Sequence, residues 1–193
     1  MQSVPLNVVP IRQEVAKVEI DLDRDLFFRK MLRELAGTIE AIVGMEEANG
    51  YVAAVGAAVG DWINEAYHAE MGPDDFDMHV VAAVFVDLKS RIDGGFAIES
   101  VSPERIVLVN SKCPFGRDVA GRPSLCMMTS NVFGRIAADN LGYARVELKE
   151  TIAKGDPGCH IVVHLKPRPD VAASAREYFR VRPGSGVSGD DHL

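Results

Sequence analysis

Apolar residues recur at helical spacing through the first half of the chain. A first helix is predicted to follow the aspartates Asp21 and Asp23, which are suitable N-caps, and to end at Gly44. Its apolar face repeats every three or four positions, at Phe28, Leu32, Leu35, Ile39 and Ile42. This half of the chain therefore begins with an amphipathic helix.

Two further helices are predicted before the pattern changes. The first runs from about residue 46 to 70 and contains Gly50, Gly56 and Gly60, which allow another backbone to approach closely. The second runs from about 73 to 91, with a proline and acidic residues at its start and Gly94-Gly95 after its end. The glycine-bearing helix would permit a homodimer to form through that face.

The second half has the period of β-structure. Strands are predicted at 96–101, 105–109, 143–152 and 159–165, and one helix is inserted at 123–140. Three helices followed by strands indicate an α+β domain, in which N-terminal helices pack on an antiparallel four-stranded sheet with one inserted helix. The expected organisation is an N-terminal arm (1–20), a single sensory or output domain (21–182) and a disordered, glycine- and serine-rich tail (183–193).

Charge and hydropathy exclude several functions. The net charge is −7 and the pI is about 5.2, which argues against a nucleic-acid partner. No apolar run approaches the length of a membrane span, and the N-terminus has no signal-peptide pattern. We therefore expect a cytoplasmic protein without a membrane partner.

The most specific chemical signal is the placement of the three cysteines. Cys113 lies in a turn, Cys126 opens a helix and Cys159 opens a strand, so the three thiols can meet at one point. Reduced thiols are expected in the cytoplasm, and the odd number agrees with that. Such a cluster would bind a metal or an iron–sulfur cluster, carry out redox or catalytic thiol chemistry, or simply pack in the core.

Two features favour the metal interpretation. A helix N-terminus favours the thiolate of Cys126, which is the form that ligates metals. Glu150 lies within the apolar row of the third strand, and pairing that row with the fourth strand brings it near Cys159 or Ile161. The predicted metal ligands are therefore Cys113, Cys126, Cys159 and Glu150.

Two other hypotheses concern the inserted helix. Met127, Met128 and Phe133 could line a small apolar ligand pocket beside the cysteines. Alternatively, the protein is an enzyme with Cys126 as nucleophile, which requires a lowered thiol pKa and a base such as His160 nearby. A third alternative is a pure interaction domain in which the cysteines are structural.

The sequence resembles a known family. The segments LDRDLFFRKMLRELAGTIEAIVGMEEANGY and CPFGRDVAGRPSLCMMTSNVFGRIAADNLGYARVELKETIAKGDPGCHIVVHLKP resemble methanogen output domain 1, over about residues 20 to 180. That family occurs in signalling proteins. The resemblance implies a non-enzymatic signal-transduction domain with a signalling partner such as a kinase or regulator.

Two more distant resemblances bear on the cofactor. The glutamate followed by GDPGC is similar to the 4-vinyl reductase family of small-molecule-binding domains, whose sensor members hold zinc with cysteines and a glutamate. That similarity implies a 4-vinyl-reductase-like fold, with Cys126, Cys159 and Glu150 as the nearest matches, although a cysteine expected near Thr151 is missing. The CPF motif, with twelve residues to the next cysteine, is similar to iron–sulfur-sensing repressors and implies a cluster instead of zinc.

Overall fold

The computed structural model describes residues 17–172 and 174–180. Its helices are α1 (Arg24–Met71), α2 (Met78–Ser90) and α3 (Cys126–Leu141), and its strands are β1 (Phe96–Val101), β2 (Arg105–Asn110), β3 (Tyr143–Glu150), β4 (Cys159–His164) and β5 (Arg176–Phe179). Short 3-10 turns lie at Gly116–Val119, Pro123–Leu125 and Ile152–Lys154. No helix in this part of the chain is long and apolar enough to cross a membrane.

The strands form one antiparallel sheet in the order β1-β2-β4-β3-β5. The predicted α+β class is confirmed, and the sheet has one strand more than expected. Strand β5 has only four residues and carries charges at two of them, so it lacks the apolar run by which the other strands were found. Its Tyr178 packs over α3, where a Cβ at Gly134 would lie 2.1 Å from the ring.

The first two predicted helices are the two segments of α1. They meet at Gly44, whose backbone is non-helical (φ 84°, ψ 168°) and in a region that favours glycine. Asp23 caps the first segment as predicted, its side chain accepting a hydrogen bond from the N–H of Leu26 at 2.7 Å. Helix α2 begins later than predicted, because Asp77 provides its N-cap.

The main core lies between the sheet and the two shorter helices. Phe85 of α2 stacks on Phe133 of α3 with ring centroids 4.2 Å apart, and Phe96 of β1 meets Phe133 edge to face. All three rings are buried. This aromatic group joins α2, α3 and the sheet into one unit.

Gly56 and Gly60 of α1 make close contact with α3 of the same chain. A Cβ at Gly56 would lie 2.8 Å from the Cβ of Asn131, and one at Gly60 would lie 3.0 Å from the Cβ of Arg135. Gly56 and Gly60 are therefore covered by α3 of the same chain, so a homodimer through this helix would have to use another part of it, such as the surface around Gly50.

The terminal segments of the expected organisation fall largely outside the described residues. Of the predicted arm (1–20), only residues 17–20 are described, and the predicted tail (183–193) is not described at all.

Replacing Gly56 by alanine is expected to destabilise the protein by about 1–2 kcal/mol, because the added methyl overpacks the crossing of α1 and α3. Gly50 lies in the same helix with no atom near its absent Cβ. Gly50→Ala should therefore raise the free energy of unfolding by about 0.5–1 kcal/mol. Urea denaturation measures both, and equal stability of the two variants would contradict this account of the crossing.

Candidate functional site: a cavity lined by three cysteines

The three cysteines line one small cavity. It has a volume of about 30 Å³, and its wall includes Cys113, Cys126 and Cys159 together with Asn110, Thr129 and Thr151. All three cysteines are free thiols, each partly buried. The volume is enough for a single water or ion and far below that of pockets for organic ligands.

The pairing of β2 with β4 fixes two of the cysteines. Asn110, the last residue of β2, lies opposite Cys159, the first residue of β4. Its side chain accepts a hydrogen bond from the N–H of Cys159 at 2.9 Å and donates one to the carbonyl of Lys112 at 3.0 Å. This asparagine therefore joins the strand of Cys159 to the loop of Cys113. Gly158 permits the approach, since a Cβ there would lie 2.3 Å from the carbonyl oxygen of Asn110.

Cys126 is placed by the turn that precedes α3. Its backbone N–H donates to the carbonyls of Pro123 and Ser124, so the helical hydrogen bonding starts a turn earlier than the cysteine. The free N–H groups that would favour a thiolate therefore lie at the start of that turn. Burial dominates instead and raises the pKa of Cys126 to about 12. The expectation of a lowered Cys126 pKa is wrong for the protein without metal.

Each sulfur also has a donor that favours its ionised form. The Phe115 N–H acts on Cys113, the Ile152 N–H acts on Cys159, and the Thr151 hydroxyl acts on Cys126. These hydrogen bonds lower the thiol pKa values, although burial is larger and raises all three. In the metal-free protein the thiols are therefore neutral, but each sulfur has a hydrogen-bond donor that would stabilise its thiolate form.

Thr151 is an unusual part of the wall. It is 2% exposed, and its hydroxyl oxygen is buried without a hydrogen-bond partner of ordinary geometry among the described residues. A sulfur is only a weak acceptor, which leaves the hydroxyl with the Cys126 thiol as a poor partner. A thiolate or another ligand in the cavity would give this buried hydroxyl a good hydrogen-bond acceptor and so be stabilised by it.

A buried lysine lies next to the three thiols. Lys89 is 5% exposed, and its ammonium donates to the hydroxyl of Thr129 at 2.8 Å. Burial lowers the pKa of Lys89 to about 8, and thiolates at the three cysteines would oppose that shift. The rings of Phe96 and Phe133 lie within 5.6 Å of its nitrogen. The sulfurs thus lie in the field of a fixed cation.

Glu150 does not reach the cysteines. It is exposed and lies opposite His160, because the register of β3 against β4 shifts between Leu148 and Glu150. That irregularity turns the carboxylate away from the apolar face on which the alternating pattern had placed it. It does not line the cysteine cavity.

The three residues predicted to line a ligand pocket are separated. Phe133 is fully buried in the aromatic core. Met127 and Met128 line two different clefts: Met128 lines the one that includes Lys89, and Met127 lines the one that includes Arg176. The structure does not bring them to one pocket.

The features required of a cysteine nucleophile are not present. The pKa of Cys126 is raised. His160 does not line either of the described cavities that Cys126 lines, and its ring lies 3.7 Å from the carboxylate of Glu99. The arrangement gives Cys126 no support as an activated nucleophile.

Among the described residues, no group of three or more histidine, cysteine or acidic side chains already has an arrangement that could hold a metal ion. The three thiols line the same cavity, but their present arrangement is not that of a metal site. A bound metal would require these side chains to move.

The first segment of α1, residues 24–43, contacts the loop between Cys113 and Cys126; from here on we call this segment, and not the predicted N-terminal residues 1–20, the arm. Arg33 donates to the carbonyl of Ala120 at 2.8 Å, and Lys30 pairs with Asp118 at 2.8 Å. Further along, Ser124 donates a hydrogen bond to Glu40. The arm is thereby tied to the residues that immediately precede Cys126.

An apolar cluster lies beneath these polar contacts. Ala36 of the arm packs with Val119, Leu125 and Ala153, and the partly buried side chains against them include Cys113 and Cys126. This cluster is separate from the aromatic core. Because the side chains of this cluster are closely packed, a movement of the two cysteines would displace the residues of the arm.

These features define an α+β domain built around a buried three-thiol cavity, with a helical arm packed over it. The chain belongs to the methanogen output domain 1 family, whose profile matches residues 31–164 and thus well over half of the chain. The match includes all three cysteines, Lys89 and most of the arm, and it gives the chain a signalling output role. No curated protein matches the chain significantly.

Sequence reasoning missed Asn110, Thr151 and Lys89. Lys89 had a usable signal, because it lies four residues after Phe85 and eight after Val81, on the buried face of α2. A lysine at such a position is seldom buried without a role. Thr151 and Asn110 had none, since their importance comes from the register of strands that are distant in sequence.

In the reduced, metal-free protein, Cys126 is expected to react more slowly with iodoacetamide at pH 8 than Cys113 or Cys159. Its pKa is raised to about 12, so little thiolate is present. Mass spectrometry of tryptic peptides during labelling gives the three rates, and urea-denatured protein, in which the rates should converge, is the control. Fastest labelling at Cys126 would contradict this result and revive the nucleophile hypothesis.

Proposed function

We propose that this output domain is controlled by a thiophilic metal ion held by Cys113, Cys126 and Cys159. The observation that carries the proposal is that three cysteines from three different elements line one cavity, each with its own hydrogen-bond donor. Hydrogen bonds of this kind are typical of the outer shell of metal–thiolate sites.

The donor set fits the chemistry of a soft or borderline cation. Thiolate sulfur favours zinc, copper(I) and iron–sulfur clusters, and a bound cation would replace the protons that burial now holds on the thiols. Three thiolates and a divalent cation carry one negative charge, which the ammonium of Lys89 would balance. The buried hydroxyl of Thr151 would then have an anionic sulfur as its acceptor.

The size of the cavity favours a single ion. About 30 Å³ accommodates one ion or water, whereas an iron–sulfur cluster would require the wall to move outward. We therefore propose zinc as the metal and treat a cluster as an outcome that metal analysis would reveal. Glu150 is left out of the ligand set, because it is exposed and does not line the cavity.

Metal binding would change the conformation of the loop. Since the described residues include no ready-made group that could hold a metal ion, Cys113 and Cys126 would have to turn inward to ligate one. Both side chains pack on the cluster that includes Ala36, and Ser124 is bonded to Glu40. The inward turn would therefore alter how the arm packs on the loop.

The arm is also the surface from which a signal could leave the domain. It exposes Phe27, Leu35 and Ile42, of which Ile42 is 76% exposed. Exposed apolar residues of this number on one helix are typical of a surface that contacts another protein. We propose that a signalling protein, such as a kinase or regulator, contacts the arm.

Anaerobically purified protein is expected to contain about one zinc ion per chain, measured by elemental analysis. Serine at any one of the three cysteine positions should weaken metal binding by more than the roughly 10–100-fold typical of an outer-shell change. Glu150→Gln is the matched control and should retain the metal. The proposal would be contradicted if the purified protein contained no metal and all three thiols reacted freely in the folded state. Detection of iron with sulfide would show that the bound group is a cluster and not zinc.

Removal of the metal is expected to increase hydrogen exchange in residues 113–126 and in the arm, while α2 and β1 keep their protection. Glu40→Ala should break the link by removing the acceptor of the Ser124 hydrogen bond, so that exchange in the arm no longer responds to metal. Glu34→Ala, at an exposed residue of the same arm, should leave the response intact. Identical exchange of the arm with and without metal would refute the relay, whether or not a metal binds.

A further inference from the structure

A second and much larger opening lies beside the cysteine cavity. It is a cleft of about 660 Å³ between the arm, the end of α2 and the loop after β2. Phe28 and Leu32 of the arm, Ile92 after α2 and Met128 of α3 form its apolar wall. This volume is in the range of pockets that bind small organic molecules.

The cleft is basic in a chain whose net charge is −7. Four basic and two acidic side chains line it. Three of the basic residues already have carboxylate partners, in the pairs Arg29–Asp25, Arg91–Asp87 and Lys112–Asp93. Within the described part of the chain, Lys89 is the one lining cation without a carboxylate partner.

Lys89 is also the most buried of these cations. Lys89 is 5% exposed, and among the described residues its ammonium has one hydrogen bond, to the hydroxyl of Thr129, although an ammonium carries three N–H donors. A buried charge that lacks a counter-ion is costly, and a bound anion would relieve that cost. The Nε of Arg29 in the same cleft is likewise buried without a partner among the described residues.

The geometry points to a binding site for a small organic carboxylate, with its head group at Lys89 and its apolar body against Phe28, Leu32 and Ile92. A monoanion matches the single cation that lacks a carboxylate, while the apolar wall requires more than an inorganic ion. The site is assigned to the metal-free protein, because thiolates that hold a metal would compete with the carboxylate for the ammonium of Lys89.

Benzoate is a suitable probe, and benzyl alcohol is its uncharged counterpart. Both are titrated into the reduced, chelator-treated full chain at constant ionic strength, and amide chemical shifts are followed by NMR. We expect benzoate to saturate the protein with shifts in residues 112–116 and 89–93, and benzyl alcohol to bind at least about tenfold more weakly. Equal binding of the two probes, or no saturation by benzoate, would overturn the inference.

Two variants localise the charge. Lys89→Met should weaken benzoate binding about tenfold or more, whereas Lys112→Met, which removes an exposed lysine of the same cleft, should change it less than about threefold. Unchanged benzoate affinity in Lys89→Met would refute the site. Competition by inorganic phosphate as effective as benzoate would show a general anion site and overturn the assignment to an organic carboxylate. The wild-type comparison of the two probes remains decisive if a variant folds poorly.

Discussion

The site depends on the antiparallel pairing of β2 with β4, and above all on the bridge that Asn110 makes at its end. By accepting from the Cys159 N–H and donating to the Lys112 carbonyl, this side chain fixes the start of one strand against the loop that follows the other. Cys113 and Cys159, 46 positions apart in sequence, consequently line the same cavity. Gly158 allows the close backbone contact. Without this pairing, Cys126 at the start of α3 would not share a cavity with the other two cysteines.

Two opposing effects act on the cysteines, and their balance decides whether the thiols are neutral or ionised. Burial raises every thiol pKa, whereas one hydrogen-bond donor at each sulfur and the nearby Lys89 favour the thiolate. Without metal, burial prevails and the thiols are neutral. A metal cation would reverse that balance. Because Cys113 and Cys126 pack under the arm, the proposed change of charge at the cavity is also a change of packing at the surface.

Local sequence patterns predicted most of the helices and strands. The features that they missed depend on contacts between residues that are distant in sequence. Helical spacing, the Asp23 cap and the glycine at 44 located both segments of α1, and four strands followed from their apolar period. Strand β5 escaped because four residues with two charges show no period. The cysteines could be grouped because each stands at the boundary of an element. Glu150 was misplaced by a single irregularity in β3, since one residue of shift reverses which face a side chain occupies.

The central claim is that the three cysteines bind one metal ion together. X-ray absorption at the edge of the metal in the purified protein measures this most directly, because it counts the sulfur atoms in the first coordination shell. We predict three sulfur ligands and one lighter atom in the wild type, and one sulfur fewer in any serine variant that keeps metal. A shell made only of nitrogen and oxygen atoms, unchanged by serine at the cysteine positions, would contradict the account.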